Sequence, residues 1–179
     1  MAVTYLPGAD KQAFSEIYRA HYPALWAFMR RRIPRGQVED LTLEVFERAW
    51  KNFSSLSDPQ RPLPWLYGIG SNVIREFYRK DDKTPQLVDI TDHEPAADEF
   101  VSGVDLNLDI NRAMGQIKDS EREILTLFAW EGLSQPEIAE ALDISPENVR
   151  VRLHRARTHL AKALHNESTA DESTTGENQ

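Results

Sequence analysis

The segment SPENVRVRLHRARTHLAK, residues 145–162, carries Arg150, Arg152, Arg155, Arg157 and Lys162 with no acid after Glu147. Guanidinium groups at this density are suited to donating hydrogen bonds to phosphate oxygens and to the acceptor edge of guanine. The concentration stands out because the whole chain of 179 residues is acidic, with 21 Lys and Arg against 29 Asp and Glu. Other chemistries find less support. There is no cysteine, hence no disulfide, no thiolate metal site and no thiol nucleophile. His21, His93, His154, His159 and His165 do not cluster with carboxylates at metal-ligand spacing. No phosphate loop and no nucleophile with a partnered base is visible, so no catalytic residue, metal or cofactor is expected.

The arginines need an element to present them, and the spacing supplies a helix. Val149, Leu153, Ala156, Leu160 and Leu164 recur every three or four residues and form one apolar stripe. Arg150, His154 and Arg157 share another face, flanked by Arg152, Arg155 and His159. Ser145 suits the N-cap, Pro146 the first turn, and Glu147 the positive end of the helix dipole. Upstream, LSQPEIAEALDIS predicts a helix with a capping box at Ser134 and Glu137, and its short exit fits a helix-turn-helix. SEREILTLFAWEG predicts one more helix, with a second box at Ser120 and Glu123 and Gly132 as its stop. In a helix-turn-helix the second helix enters the DNA major groove, which explains the basic face.

Between Asp10 and Lys83 three further helices are predicted. The first holds Phe14, Ile17, Tyr18, Tyr22, Leu25, Trp26 and Met29 and is expected to bend at Pro23. The second runs from about Val38 to Phe53, with Leu41, Val45, Ala49 and Trp50 at helical spacing. After the loop SSLSDPQRPLP, the third spans WLYGIGSNVIREFYRK, with Trp65, Leu66, Ile69, Val73 and Phe77 inward and Asn72, Arg75, Glu76 and Arg79 outward. Trp50 and Trp65 are expected in the core, and the run Arg30, Arg31, Arg32 and Arg35 is expected to be a charged helix end.

Charge is sorted along the chain. Residues 84–109 contain seven acids and no Lys or Arg, and residues 166–179 repeat that pattern among Ser, Thr, Gly and Asn. Such segments bury too little apolar surface to offset the entropy of ordering. The expected organisation is an N-terminal extension (1–9), a helical domain (10–83), a flexible acidic linker (84–109), a helix-turn-helix domain (110–165) and a disordered acidic tail (166–179). The fold class is all-α, as two small helical domains. No apolar run reaches the ~20 residues of a membrane span, so no direct membrane insertion is expected. The N-terminus MAVTYLPGAD lacks the pattern of a secretory signal, and a cytoplasmic protein is the expectation.

Three stretches together, DLTLEVFERAW, PWLYGIGSNVI and LSQPEIAEALDISPENVRVRLHRARTHLAKAL, resemble the extracytoplasmic-function group of bacterial RNA polymerase sigma factors, which has only sigma regions two and four. The resemblance spans Phe14 to Leu164. It implies an alternative sigma factor that binds core RNA polymerase, directs it to particular promoters and assists melting, without being an enzyme. By the same resemblance, Asp40, Leu41 and Glu44 grip the beta-prime clamp helices, Leu43 standing where many relatives have glutamine. Asn72 touches the downstream promoter element with Ser71, Arg75 and Arg79 as backbone neighbours, and the loop at about 54–62 captures a base flipped from the nontemplate strand. Relatives often carry more base at the end of the third helix than KDDK provides. Arg150, Val151, His154 and Arg155 read the upstream element, with Arg152 and Arg157 on phosphate or in packing. The implied partners are core polymerase (clamp helices and beta flap), promoter DNA and an anti-sigma factor. The acidic linker would run through the basic channel near the RNA exit path, although a generic soluble linker accounts for its composition equally well.

Two rival functions fit parts of the sequence. A stand-alone helix-turn-helix regulator, its first domain sensing a ligand or dimerising, would bind paired half-sites unaided. A nucleic-acid-processing enzyme would need acids converging on a cleft, whereas the acids of the first domain lie on an outer helix face.

Overall fold

A computed structural model describes the backbone of residues 8–80, 110 and 112–174, and the side chains of those between 10 and 166. The linker expected at 84–109 lies outside these residues. The described chain is helical, with no strand among the described residues. The first domain comprises α1 (Gly8–Arg30), α2 (Val38–Lys51) and α3 (Leu63–Lys80), with short 3-10 turns at Arg35–Gln37 and Phe53–Ser55. Helix α1 begins inside the expected extension and passes through Pro23, which lies on its exposed side.

Leu25, Phe28 and Met29 of α1, Val45 and Ala49 of α2, and Leu66 and Val73 of α3 are fully or nearly fully buried. Burying each of these side chains other than Ala49 contributes roughly 1.5–3 kcal/mol. Aromatic rings fasten the outer end of the bundle. Phe14 meets Trp50 and Phe53 edge-on at centroid distances of 5.0 and 5.5 Å, and Tyr18 meets Phe46 at 4.6 Å. Trp50 and Trp65 are both half-buried, and Trp65 closes the loop above it by donating its Nε1–H to Ser55 Oγ at 3.2 Å.

The second domain comprises a helical stretch at 112–116, then α4 (Asp119–Ala129), α5 (Gln135–Leu142) and α6 (Pro146–Thr174). Its caps are partly as expected. The Ser134–Glu137 box is formed, with the Ser134 N–H donating to Glu137 Oε2 at 2.8 Å. The Ser120–Glu123 box is not: α4 starts two residues earlier, with Lys118 at its N-cap, so Ser120 already sits inside the first turn. Gly132 adopts φ +68° after α4, the left-handed conformation glycine tolerates without strain. Helix α6 runs on to Thr174, eight residues beyond the Asn166 where the tail was expected to start. Its early turns are anchored on α4 and α5, and extending a nucleated helix costs far less than starting one.

The two domains do not merely hang on a tether. Their buried residues form one continuous apolar cluster, and α3 lies directly against α5. A Cβ added at Gly68 of α3 would stand 2.5 Å from the backbone oxygen of Ala141 in α5, so the helices approach backbone to side at this point. Gly70 serves the first domain in the same way, with its missing Cβ 3.0 Å from Phe28 Cε1. These contacts account for two glycines that would otherwise only weaken a helix. A second apolar stripe of α3, Tyr67, Ile74 and Tyr78, is buried along with Leu66 and Val73, while Trp65, Ile69 and Phe77 of the stripe expected to face inward are only partly buried.

Candidate nucleic-acid interface

Helix α6 is built as a presented basic surface. Ser145 Oγ accepts the Asn148 N–H at 3.2 Å, and Pro146 opens the helix where its missing N–H has no intrahelical role. Val149, Leu153 and Ala156 are buried at 0–1% exposure, as the stripe requires, and Ala163 joins them. Asp143 closes α5 in a left-handed conformation at φ 50°, and the Ile144 N–H returns to the Ala139 oxygen at 3.1 Å. This tight cap sets the angle between the two helices. Aspartate is among the few side chains that accept such a conformation at low cost, a clue present in DIS but not drawn from it.

Arg150, Val151, Arg152, His154, Arg155 and Arg157 are all exposed. Arg150 is held only by its neighbour Glu147, at 2.6 Å. Val151 is one of three large apolar side chains left exposed among the described residues, the others being Leu43 and Trp130. Arg157 lies over the Phe128 ring at 4.7 Å, a cation–π contact that fixes it against α4 and supports the packing role among those expected of it. His159 meets Glu121 at 2.8 Å and clamps α6 to α4 from the opposite side. The face can therefore offer guanidinium and imidazole donors, and one apolar contact, to a groove.

On α2, Asp40 is exposed, Leu41 packs partly into the core, and Leu43 is 45% exposed beside them. Glu44 is paired with Arg48 at 2.5 Å. Arg48 also donates to both oxygens of Glu76 on α3, at 2.9 and 2.7 Å, and this fork joins the two helices. The hydrogen bond from Arg48 holds the Glu76 carboxyl below its usual range, and the bond to Glu76 raises Arg48 further. The bridge between α2 and α3 was not anticipated from the sequence, because partners 28 positions apart carry no local signature.

The residues expected at the downstream element are split. Asn72 and Arg79 are exposed. Arg75 is exposed but leans toward Glu123 of α4 at 3.9 Å. Ser71 is only 2% exposed, with its Oγ buried and unpartnered. It therefore does not share the open face of its neighbour Asn72. The loop at 54–62 is ordered by its own acid, with Asp58 accepting the Gln60 N–H at 3.0 Å and pairing with Arg61 at 3.1 Å. It also reaches α5, where Ser57 donates to Glu140 at 3.1 Å and Arg61 to Glu137 at 3.3 Å.

The arginine run is likewise only partly a charged helix end. Arg31 and Arg32 both face Glu131 of the second domain, Arg31 in a direct ion pair and Arg32 at 3.8 Å. All three side chains are largely buried, with Glu131 at 4% exposure. Arg32 also stacks on Phe28 and donates to its backbone oxygen at 3.0 Å. Burial presses Arg32 down to about 10, which leaves it cationic at neutral pH. The Tyr67 hydroxyl joins the same carboxylate, and burial followed by the Glu131 charge raises its pKa.

Residues 17–84 match the family described as "Sigma-70 region 2" and residues 107–160 match "Sigma-70, region 4". RNA polymerase sigma factor CnrH of Cupriavidus metallidurans is 30% identical over 172 residues, covering 87% of this chain and 88% of that one. The chain is a sigma factor. It belongs to the sigma-70 family, in the extracytoplasmic-function group, and its work is to direct transcription initiation by RNA polymerase. SigM of Bacillus subtilis, named an ECF RNA polymerase sigma factor, is 29% identical and covers 88% of this chain and 98% of its own. The structure of CnrH in complex with the cytosolic domain of CnrY superposes with a TM-score of 0.63 at 28% identity, over 87% of this chain and 90% of that chain. RpoE of Bartonella quintana, in complex with the anti-sigma factor NepR, has the same fold at a TM-score of 0.63 and 22% identity, over 85% and 96% of the two chains. A first domain of the region-two type removes the stand-alone regulator. Among the described residues no helix is long and apolar enough to cross a membrane.

Proposed function

We propose a division of labour among the three surfaces of this sigma factor. Helix α6 reads the upstream promoter element, with Arg150, Val151, His154 and Arg155 toward bases and Arg152 toward phosphate. Helix α2 docks on the clamp helices of core polymerase through Asp40, Leu41 and Glu44, with exposed Leu43 adding an apolar contact. Helix α3 and the loop at 54–62 engage the downstream element through Asn72, Arg75 and Arg79. The supporting observation is the basic face of α6, capped and braced on α4 and α5 yet leaving Arg150, Arg152, His154 and Arg155 exposed.

Two weak readings on one polymerase add, since the second site is met at the effective concentration set by the first. Relatives occur in complexes with the cytosolic domain of CnrY and with the anti-sigma factor NepR, and an anti-sigma factor is the partner proposed here as the regulator. The test is reconstituted transcription from a pool of promoter fragments with purified core polymerase and this chain. New starts sharing an upstream and a downstream motif are expected. Starts with neither motif would remove the assignment of α6 and α3.

A further inference from the structure

Arg48 stands between the surface assigned to polymerase and the helix assigned to the downstream element. Its Nη2 donates to Glu44 Oε1 at 2.5 Å and to Glu76 Oε2 at 2.7 Å, while its Nη1 donates to Glu76 Oε1 at 2.9 Å. Glu44 lies one turn before Arg48 on α2, and Asp40 one turn before Glu44. Glu76 lies one turn after Asn72 on α3, so the two share a face of that helix. One guanidinium therefore serves two carboxylates on two helices. A planar fork can do this because its donors point in fixed directions, whereas an ammonium is a point charge. The three side chains are 31–36% exposed, so a basic group on another protein can reach Glu44 without unpacking either helix. The neighbouring acid Glu47 is paired with Lys51 instead.

We propose that Arg48 is a positioning residue that links polymerase docking to reading of the downstream element. It aims the Glu44 carboxylate at the clamp and, through the same Nη2, holds α3 at Glu76, so that Asn72 meets the promoter at a fixed distance from the docked helix. The proposal rests on the assignments of Glu44 and Asn72. Sharing gives the link a direction. Glu44 and Glu76 divide one cation and repel each other; when a clamp cation takes up the Glu44 charge, the guanidinium is left to Glu76 and the fork between α2 and α3 tightens. The backbone oxygen of Arg48 also accepts from Asn52 Nδ2 at 2.9 Å, and no substitution of the Arg48 side chain removes that contact at the start of the loop.

The test is a pair of double-mutant cycles on the full-length chain with Escherichia coli core RNA polymerase. Arg48→Gln is expected to lower affinity for core by about three- to fivefold, and to do so far less in a Glu44→Gln background, because its effect runs through that carboxylate. With the chain in saturating excess over core, so that weaker docking no longer enters, Arg48→Gln is also expected to reduce preference at the downstream base that Asn72→Ala affects, and to add nothing in a Glu76→Gln background. A merely structural role would give losses that add in both backgrounds and follow the melting temperature. Circular dichroism and thermal melting check that each variant keeps its helices. If Arg48→Gln does not, Arg48→Lys, which keeps the charge without the fork, takes its place in both cycles with the same expectations. Additive losses among folded variants would overturn the proposal, as would core affinity or downstream preference untouched by substitution of Arg48. Core affinity unchanged by Glu44→Gln, or downstream preference unchanged by Asn72→Ala, would overturn the surface assignments themselves, and the link between them would fall with either.

Discussion

Arg150→Ala separates recognition from stability. The side chain is 69% exposed, and its ion-pair partner, Glu147, is 67% exposed and three residues away on the same helix. An exposed pair of this kind contributes at most about 0.5 kcal/mol, and alanine is the better helix former by a few tenths. The two effects nearly cancel, so the midpoint of thermal unfolding should move by no more than about 2 °C. A bidentate contact to guanine is a different matter, worth about 1–3 kcal/mol of discrimination, or roughly 5-fold to 150-fold in preference for one base. The assay is reconstituted transcription on promoters randomised across the upstream element, with wild type and variant side by side. Preference should collapse at one position and persist at the others. Unchanged preference at every upstream position would refute the base-reading role. A large loss of thermal stability would refute the description of Arg150 as held only by a surface pair.

Three other outcomes follow from the same geometry. Asp40→Ala combined with Glu44→Ala should weaken co-purification with core polymerase while the chain stays folded, because Arg48 keeps its fork to Glu76 when Glu44 is gone; undiminished capture would exclude the clamp role. Leu153→Ala, at a side chain 1% exposed, should cost about 2–5 kcal/mol in the second domain, visible as early loss of α6 protection in hydrogen exchange with the inner turns of α2 still protected. Simultaneous loss in both domains would show that they unfold as one unit. Acidification should loosen two points in a defined order of sign: the Arg48 bond depresses Glu76 and the Ser134 bond depresses Glu137, both below an ordinary 4.5. Their stabilisation is therefore complete above that value and disappears as pH falls through the depressed ones. A melting temperature flat from pH 7 to pH 3, in roughly constant salt, would contradict this.

The helix-turn-helix was legible because its signals are local. The four-and-three spacing of Val149, Leu153 and Ala156, the serine caps at 134 and 145, and the arginines between them all act within a turn or two of backbone, and each is found where its type predicts. The three helices of the first domain were readable for the same reason. The Ser120 box failed because two residues of matching type and spacing do not decide which residue begins a helix; the chain around Lys118 does.

What tertiary structure alone decided is how the two domains face each other. Arg31 and Glu131 are 100 positions apart, and nothing in the local pattern distinguishes an arginine bound for a buried ion pair from one at a frayed helix end. Gly68 lowers the helix propensity of α3, and only the close approach of α5 explains it. The second apolar stripe of Tyr67, Ile74 and Tyr78 was a sign that α3 is covered on more than one side, but periodicity cannot name the element that covers it. Helix propensity and capping are properties of neighbours along the chain, so the sequence by itself determined the elements and the basic reading face. The burial of Ser71, the pairing of Arg31 and Arg32 with Glu131, and the hold of α5 on the 54–62 loop depend on groups that meet only when the chain has folded.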